Sequence, residues 1–330
     1  MAVSPRVGAK CPPMSDPVLA HIPSASAHPG APSEVALSRQ LRRLSTLPEA
    51  PWLHQEVARR LAAKLEPIRL SPATWLDWSA FLGAGGQLVQ ARYPQAQGWQ
   101  VEPVAALQWR SQQVRDQAAT RSWRTLWRRD TAKVWSADDL AAAPWQADGV
   151  DMLWANMTLH AHGNLSALMA AWYKQLGVNG FLMCSGLGPD TARELQAVYQ
   201  ALGWPQPTID FIDMHDLGDE LVQAGFADPV MDMERLTLTW SSPQDMLAEW
   251  RTWGGNVALG RFPGLRTPRW RDRLMQVLAD KLTRPDGRLG LTIELVYGHA
   301  IKPEPRPKVA PETRVSLQDM KRMVRKSDKS

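Results

Sequence analysis

The chain is laid out as an α/β fold, a doubly wound and mainly parallel sheet with helices on both faces. Three observations lead there. Between residues 53 and 184, apolar stretches of strand length alternate with helical stretches, the pattern of consecutive βαβ units. The helical stretches carry their apolar residues at a 3.6-residue period. Two later stretches, ERLTLTW (234–240) and LGLTIELVYGHAIK (289–302), alternate in period two and enclose helical segments.

Residues 1–35 are rich in Pro, Ser and Ala and lack a hydrophobic period, so a disordered tail is expected. Leu53, Val57, Leu61 and Leu65 then share one helix face. Residues 74–77 form the first strand, 86–93 a helix and 98–102 the second strand. A helix over 105–118 leads to a third strand at 133–135, and the fourth follows at 150–154. Residues 165–176 make a strong helix, closed by Gly177 with Gly180 beyond, before the fifth strand at 181–184. After 234–240, helices over 243–254 and 268–282 precede the last strand. Such an excursion between two strands predicts a small lid over the C-terminal ends of the strands, where open α/β sheets bind ligands. From residue 303, prolines and scattered charges predict a solvated basic tail with a short helix at 317–325, a possible contact for an acidic protein. The expected division is therefore tail 1–35, core 36–240, helical lid 241–284, last core strand 285–302 and tail 303–330.

Composition narrows the class. With 330 residues and 44% apolar content, the chain suits one large domain or one domain with an insertion. Its two cysteines, Cys11 and Cys184, exclude a disulfide framework and suit a reducing cytoplasm. No apolar run approaches the roughly 18 residues of a membrane span. The start of the chain also lacks the apolar core of a secretory signal, so a cytoplasmic location is expected. The net charge of +5 is mild and no nucleic-acid motif accompanies it, so neither nucleic acid nor membrane is expected as a partner. Sixteen tryptophans predict a Trp-rich core and seam rather than a base-stacking surface.

Local motifs then fall in a telling order. WLDWSAFLG (75–83) occupies the place of a first-strand motif of the form LDxGxGxG. Glu102 stands nineteen residues after Gly83 and closes the second strand. Asp139 lies in SADDLAAAPW (136–145), after the third strand. GVDMLWANMTLH (149–160) resembles the fourth-strand motif FDxxxSNxxLHW. Together these resemble the S-adenosylmethionine-dependent methyltransferases of class I. WLHQEVARRL (52–61), ADPVMDMERLTLTW (227–240), WGGN (253–256), Gly260-Arg261 and YGHAIK (297–302) resemble, more narrowly, the malonyl-acyl-carrier-protein O-methyltransferases of biotin synthesis. The likeness covers about residues 38–303. It implies a Rossmann-like, doubly wound, seven-stranded and mainly parallel sheet with an antiparallel last strand and a small helical lid.

The resemblance also implies roles. The cofactor would be S-adenosyl-L-methionine, and no metal is implied. Asp77, Ser79, Phe81 and Gly83 would form the loop around the cofactor. Glu102 would accept its ribose hydroxyls through charge-assisted bonds. Asp139, or its neighbour Asp138, would accept the adenine amino group, although Asp139 equally suits a helix N-cap. Asn156 would contact the cofactor or orient the substrate, or else serve its own turn. Arg261, with Arg251 and Arg266 as competitors, would pair with the malonyl carboxylate. His160 and His162 are structural on this reading, because methylating a carboxylate needs no base, and Asp151 bonds nearby backbone. The partner would be acyl-carrier protein carrying malonyl, or malonyl-CoA, and the acidic carrier would suit a basic chain.

One motif departs from the pattern. Without gaps, Ser79 and Phe81 stand where the first two glycines belong and only Gly83 remains. This register also brings Tyr93-Pro94 and Glu102 onto the family's YP and acid. Alternatively, Gly83, Gly85 and Gly86 form the loop after a three-residue insertion. Those glycines allow a tight turn and close backbone approach, and a phenylalanine ring there can fill the space of the methionine moiety. Two functions follow: the carboxyl methyltransferase of the family, or a catalytically impaired methyltransferase-fold protein acting as a protein-binding module.

Overall fold

The computed structural model describes residues 30–120 and 133–305. Its strands are β1 (Thr74–Trp78), β2 (Gln97–Glu102), β3 (Val134–Ser136), β4 (Val150–Ala155), β5 (Leu176–Leu187), β6 (Ala227–Trp240) and β7 (Leu289–Ile301). They form one sheet in the order β3-β2-β1-β4-β5-β7-β6. The first five strands are parallel to one another, and β7 is antiparallel to both β5 and β6. The expected sheet is present, antiparallel last strand included.

The helices are α1 (Glu34–Leu44), α2 (Trp52–Ala63), α3 (Ala80–Gly83), α4 (Gly86–Arg92), α5 (Ala105–Thr120), α6 (Leu165–Gln175), α7 (Arg193–Ala201), α8 (Met214–Gln223), α9 (Pro243–Thr252) and α10 (Pro268–Leu282). The period-two rule sends alternate strand residues to opposite faces. Leu76, Leu153 and Leu182 meet Leu168 and Trp172 of α6 and Leu217 and Leu221 of α8. Trp75, Met152, Trp154 and Met183 meet Leu53, Val57 and Leu61 of α2 and Val89 of α4. Helices α9 and α10, between β6 and β7, pack with α7 and the start of β7 through Met246, Leu274, Leu278 and Leu195. The tryptophans are mostly core, with Trp75, Trp78, Trp99, Trp135, Trp145, Trp154 and Trp172 all buried.

The structure corrects several expectations. Helix α1 begins inside the stretch expected to be a tail. Ser33 caps it by accepting the Ala36 amide at 3.4 Å, and Leu37, Leu41 and Leu44 are buried. The remaining tail readings, including the basic helix at 317–325, fall on residues 1–29 and 306–330, outside the described residues. Helices α7 and α8 lie in a stretch whose pattern the sequence reading does not single out. Gly177 is not a helix stop, since α6 ends at Gln175 and β5 starts at once. A Cβ on Gly177 would lie 2.7 Å from the Asp148 carbonyl oxygen, so close backbone approach explains this glycine. Asp151 behaves as expected: its Oδ2 accepts the amides of Ala73 at 2.8 Å and Thr74 at 2.9 Å. Among the described residues, no helix is long and apolar enough to cross a membrane.

Candidate active site

The candidate site lies at the C-terminal ends of β1, β2 and β4. Strand β1 ends at Trp78, and Ser79 turns at once into the left-handed region, with φ 61° and ψ 50°. A serine thus holds a backbone shape that favours glycine. The left-handed turn falls where the ungapped register puts the first glycine. The chain then makes one helical turn, α3, closed by Gly83 N–H to the Ser79 carbonyl at 2.7 Å. Ala84, also left-handed at φ 53°, ends it. Gly85 and Gly86 belong to the start of α4 rather than to this turn.

Each residue of the turn's centre is tied to a different element. The Phe81 amide donates to Glu102 Oε1 at 2.7 Å. The Leu82 carbonyl lies 2.9 Å from His54 Nδ1 of α2, and since a carbonyl only accepts, Nδ1 carries that hydrogen. The Gly83 carbonyl accepts from Asn156 Nδ2 at 2.7 Å. The Phe81 and Leu82 side chains pack with Leu37, Leu41, Leu44 and Leu107 of α1 and α5. The Arg110 guanidinium lies 5.1 Å from the Phe81 ring centre.

Glu102 is fully buried at the end of β2. Its Oε1 also accepts the Ser111 hydroxyl at 2.5 Å, whereas Oε2 has no hydrogen-bond partner among the described residues. Burial pushes the carboxyl up to about 7, against the opposing pull of the Ser111 and Phe81 bonds. Asp77 is buried as well, and neither of its carboxylate oxygens has a partner among the described residues. Burial, then the Glu102 charge, raises it well above the ordinary carboxylate range. A Cβ on Gly86 would lie 2.9 Å from Asp77 Oδ2, so that glycine makes the room for the carboxyl.

Asn156 is committed to the fold. Nδ2 donates to the His54 carbonyl at 2.8 Å as well as to Gly83, and Oδ1 accepts the Ser185 hydroxyl at 2.7 Å. These partners lie on α2, in the turn after β1 and on β5, and none is in the turn that follows Asn156. His54 and His160 meet edge to face with ring centres 6.1 Å apart. Burial lowers His54 to about 4 and His160 to about 3, so both are neutral at pH 7. Asp139 is exposed after β3 and precedes a short 3-10 turn without a side-chain cap bond. Arg261 Nη1 donates to the Ala258 carbonyl at 2.8 Å.

A small cleft remains among His54, Trp78, Ser79, Leu82, Met157, His160 and Trp253. Its volume of about 20 Å³ is room for one water. Of the residues expected at the site only Ser79 is in its lining; Asp77, Phe81, Gly83, Glu102, Asp139, Asn156 and Arg261 are not. A second cavity of about 460 Å³ lies beneath the C-terminal part of α2, against Met183, Val230, Tyr297 and His299, and includes none of these site residues. Sequence reasoning missed His54, Leu82, Ser111 and Ser185 as parts of the site. Only His54 left a trace, a polar residue on the apolar face that Leu53, Val57 and Leu61 define.

No protein-family model matches this chain. Among curated proteins, it is 37% identical over 268 residues to a malonyl-(acyl-carrier protein) O-methyltransferase of Laribacter hongkongensis, covering 81% of this chain and 88% of the relative. It is 37% identical over 255 residues to the protein of that name from Gallionella capsiferriformans, covering 77% and 85%. To the Methylovorus protein of that name it is 34% identical over 268 residues, covering 80% and 87%.

Proposed function

The chain belongs to the malonyl-(acyl-carrier protein) O-methyltransferase family, and from that premise we propose that it methylates the free carboxylate of malonyl-acyl-carrier protein in biotin synthesis. The methyl donor on this reading is S-adenosyl-L-methionine. The single observation that carries the reading is 37% identity extending over 88% of a relative of that name.

The chemistry asks little of the side chains as bases. A malonyl carboxylate is ionised at neutral pH and is already nucleophilic. The protein must align the reactants and exclude water. Neutral, buried His54 and His160 agree with that demand, since no proton need be removed. A methyl ester hides the charge, leaving the acyl group apolar at its free end. The net charge of +5 suits an acidic carrier partner through steering rather than through contact energy.

The methyl donor matches the site in chemistry but not in room. It offers ribose hydroxyls and an ammonium group as donors. Asp77 and Glu102 Oε2 are buried acceptors with no partner among the described residues. A ligand of that size needs a pocket of roughly 300 Å³ or more, against a cleft of about 20 Å³. Neither Asp77 nor Glu102 lines that cleft.

The test is direct. Full-length protein, malonyl-acyl-carrier protein and S-adenosyl-L-methionine are incubated, and the carrier is analysed by mass spectrometry for a malonyl methyl ester. Ester formation, with none on free malonate, is the expected result. Folded protein that yields no ester, and does not restore growth to a biotin auxotroph lacking this enzyme, refutes the proposal.

A further inference from the structure

We infer that the arginine-rich segment 251–273, with Leu265 at its tip, is the docking surface for the acidic carrier protein. The inference rests on the proposed function and names where its protein partner binds.

Four observations carry it. First, the charge is concentrated. Arg251, Arg261, Arg266, Arg269, Arg271 and Arg273 stand against one acid in this segment, Asp272, a net of +5. That equals the formal net charge of +5 for the whole chain, so the remaining residues balance. Arg251, Arg269, Arg271 and Arg273 are exposed, and none of the six is in an ion pair among the described residues. Second, stability does not account for the arginines on α10. Its first turn holds no acid, and cations at a helix N-terminus oppose the helix dipole. Arg269 and Arg273, one turn apart, share an exposed face, while Leu274 and Leu278 are buried. Third, the segment has an apolar tip. Leu265 is 98% exposed, and Leu259 and Phe262 of the same loop are exposed as well. Arg266 lies over the Phe262 ring at 3.7 Å and the Trp270 ring at 4.2 Å, which ties the loop to α10. Fourth, the base of the segment is fixed at the candidate site, where Trp253 lines the small cleft. Arg43 Nη2 donates to the Arg251 carbonyl at 3.0 Å and the Gly254 carbonyl at 2.5 Å. Asn256 Nδ2 donates to the Gln206 carbonyl at 2.6 Å, and Leu259 N–H to the Ala31 carbonyl at 2.8 Å.

An exposed leucine among unpaired guanidinium groups is complementary to a surface of carboxylates around an apolar residue. Guanidinium takes carboxylate bidentately, and the summed charge steers the encounter. Leu265 supplies the apolar contact that steering lacks. Because the charge sits in a segment rooted at the candidate site, steering delivers the carrier to the place where its acyl group must enter. A nucleic acid fits less well: the aliphatic Leu265 does not stack on bases, and Arg266 already covers the Phe262 and Trp270 rings. A membrane would also accept Leu265, but the proposed substrate is carried on a protein rather than a lipid.

In the experiment the full chain is titrated with malonyl-acyl-carrier protein by calorimetry, which reads docking whether or not methyl transfer follows. Arg269→Glu/Arg273→Glu should weaken binding by roughly tenfold or more, and Leu265→Ser by roughly threefold. Added salt should weaken wild-type binding more steeply than that of the charge-reversed variant. Neither variant should melt below the wild type, because acids suit the start of α10 and the Leu265 side chain is in water. Should the double variant melt lower, Arg269→Gln/Arg273→Gln takes its place, with a loss of roughly threefold. Ester formation on malonyl-pantetheine, which has no carrier, should be the same in all of these proteins. Carrier affinities within roughly twofold of the wild type overturn the surface and leave the methyltransferase reading standing, as does an equal loss on malonyl-pantetheine. A wild type that binds no carrier overturns the surface too. Carrier bound through these residues without any ester formed supports the surface and counts against the methyltransferase reading. Substitutions that abolish binding of single-stranded RNA or anionic vesicles, but not of the carrier, give the segment another partner and overturn the inference.

Discussion

Glu102→Gln should make the fold more stable at alkaline pH while leaving it nearly unchanged at acid pH. Glu102 is fully buried, and burial raises its carboxyl from 4.5 to about 7. The folded state therefore holds a proton that the unfolded chain has released anywhere between those values. In that window the folded state binds more protons, so stability falls as pH rises. It is fully present below 4.5, lost progressively toward 7, and flat above. The gap spans two and a half pH units at about 1.4 kcal/mol each, hence about 3.5 kcal/mol at most. A glutamine carries no charge at any pH and keeps an oxygen for the Phe81 amide and the Ser111 hydroxyl. At pH 4 the variant should match the wild type to within about 1 kcal/mol, the amide nitrogen replacing an already unpartnered Oε2. At pH 8 it should exceed the wild type by about 3 kcal/mol. Asp77, raised in the same direction partly by the Glu102 charge, adds to the wild-type slope and is relieved in the variant. Urea unfolding followed by tryptophan fluorescence across pH 4–8 measures both curves. Parallel curves for the two proteins would refute the burial argument for Glu102.

Three further outcomes are expected. Ser79→Gly relieves a left-handed serine at φ 61° and should stabilise the fold by about 0.5–1 kcal/mol, the glycine's unfolded-state entropy offsetting part of the gain; an unchanged or lower melting temperature would contradict this. His54, lowered from 6.5 to about 4, contributes stability that is present above 6.5 and lost as pH falls toward 4. His54→Gln should therefore flatten the acid limb of an unfolding titration, and an identical limb would place the acid sensitivity elsewhere. If Arg261 pairs with the malonyl carboxylate, Arg261→Ala should raise KM for malonyl-acyl-carrier protein at least tenfold; an unchanged KM would leave Arg261 only its bond to the Ala258 carbonyl.

The strand order was legible because its signals are local. Period-two and period-3.6 patterns state which face of each element is apolar, and Trp75, Leu76, Met152 and Leu153 go to the faces that alternation assigns. The helices at 243–254 and 268–282 were legible for the same reason, with Ser242 and Thr267 supplying the caps. The turn after Asp77 was placed by counting from Glu102, and the left-handed residue is Ser79 as the ungapped register requires. Leu37, Leu41 and Leu44 of α1 recur at helical spacing, but their burial depends on Leu82 and Leu107, far along the chain.

The state of the site is a different kind of property. Glu102, Asn156 and Asp77 stand at the ends of the strands where their motifs put them, and sequence alone determines that much. Whether their polar atoms face a ligand or the protein depends on partners distant in sequence: Glu102 on Phe81 and Ser111, Asn156 on His54 and Ser185. Hydrogen-bond satisfaction and desolvation are set by everything within a few ångströms, and no local pattern encodes that neighbourhood. The tertiary structure alone therefore decided that the turn at 79–84 is held from three sides, and that the cleft beside it has room for one water.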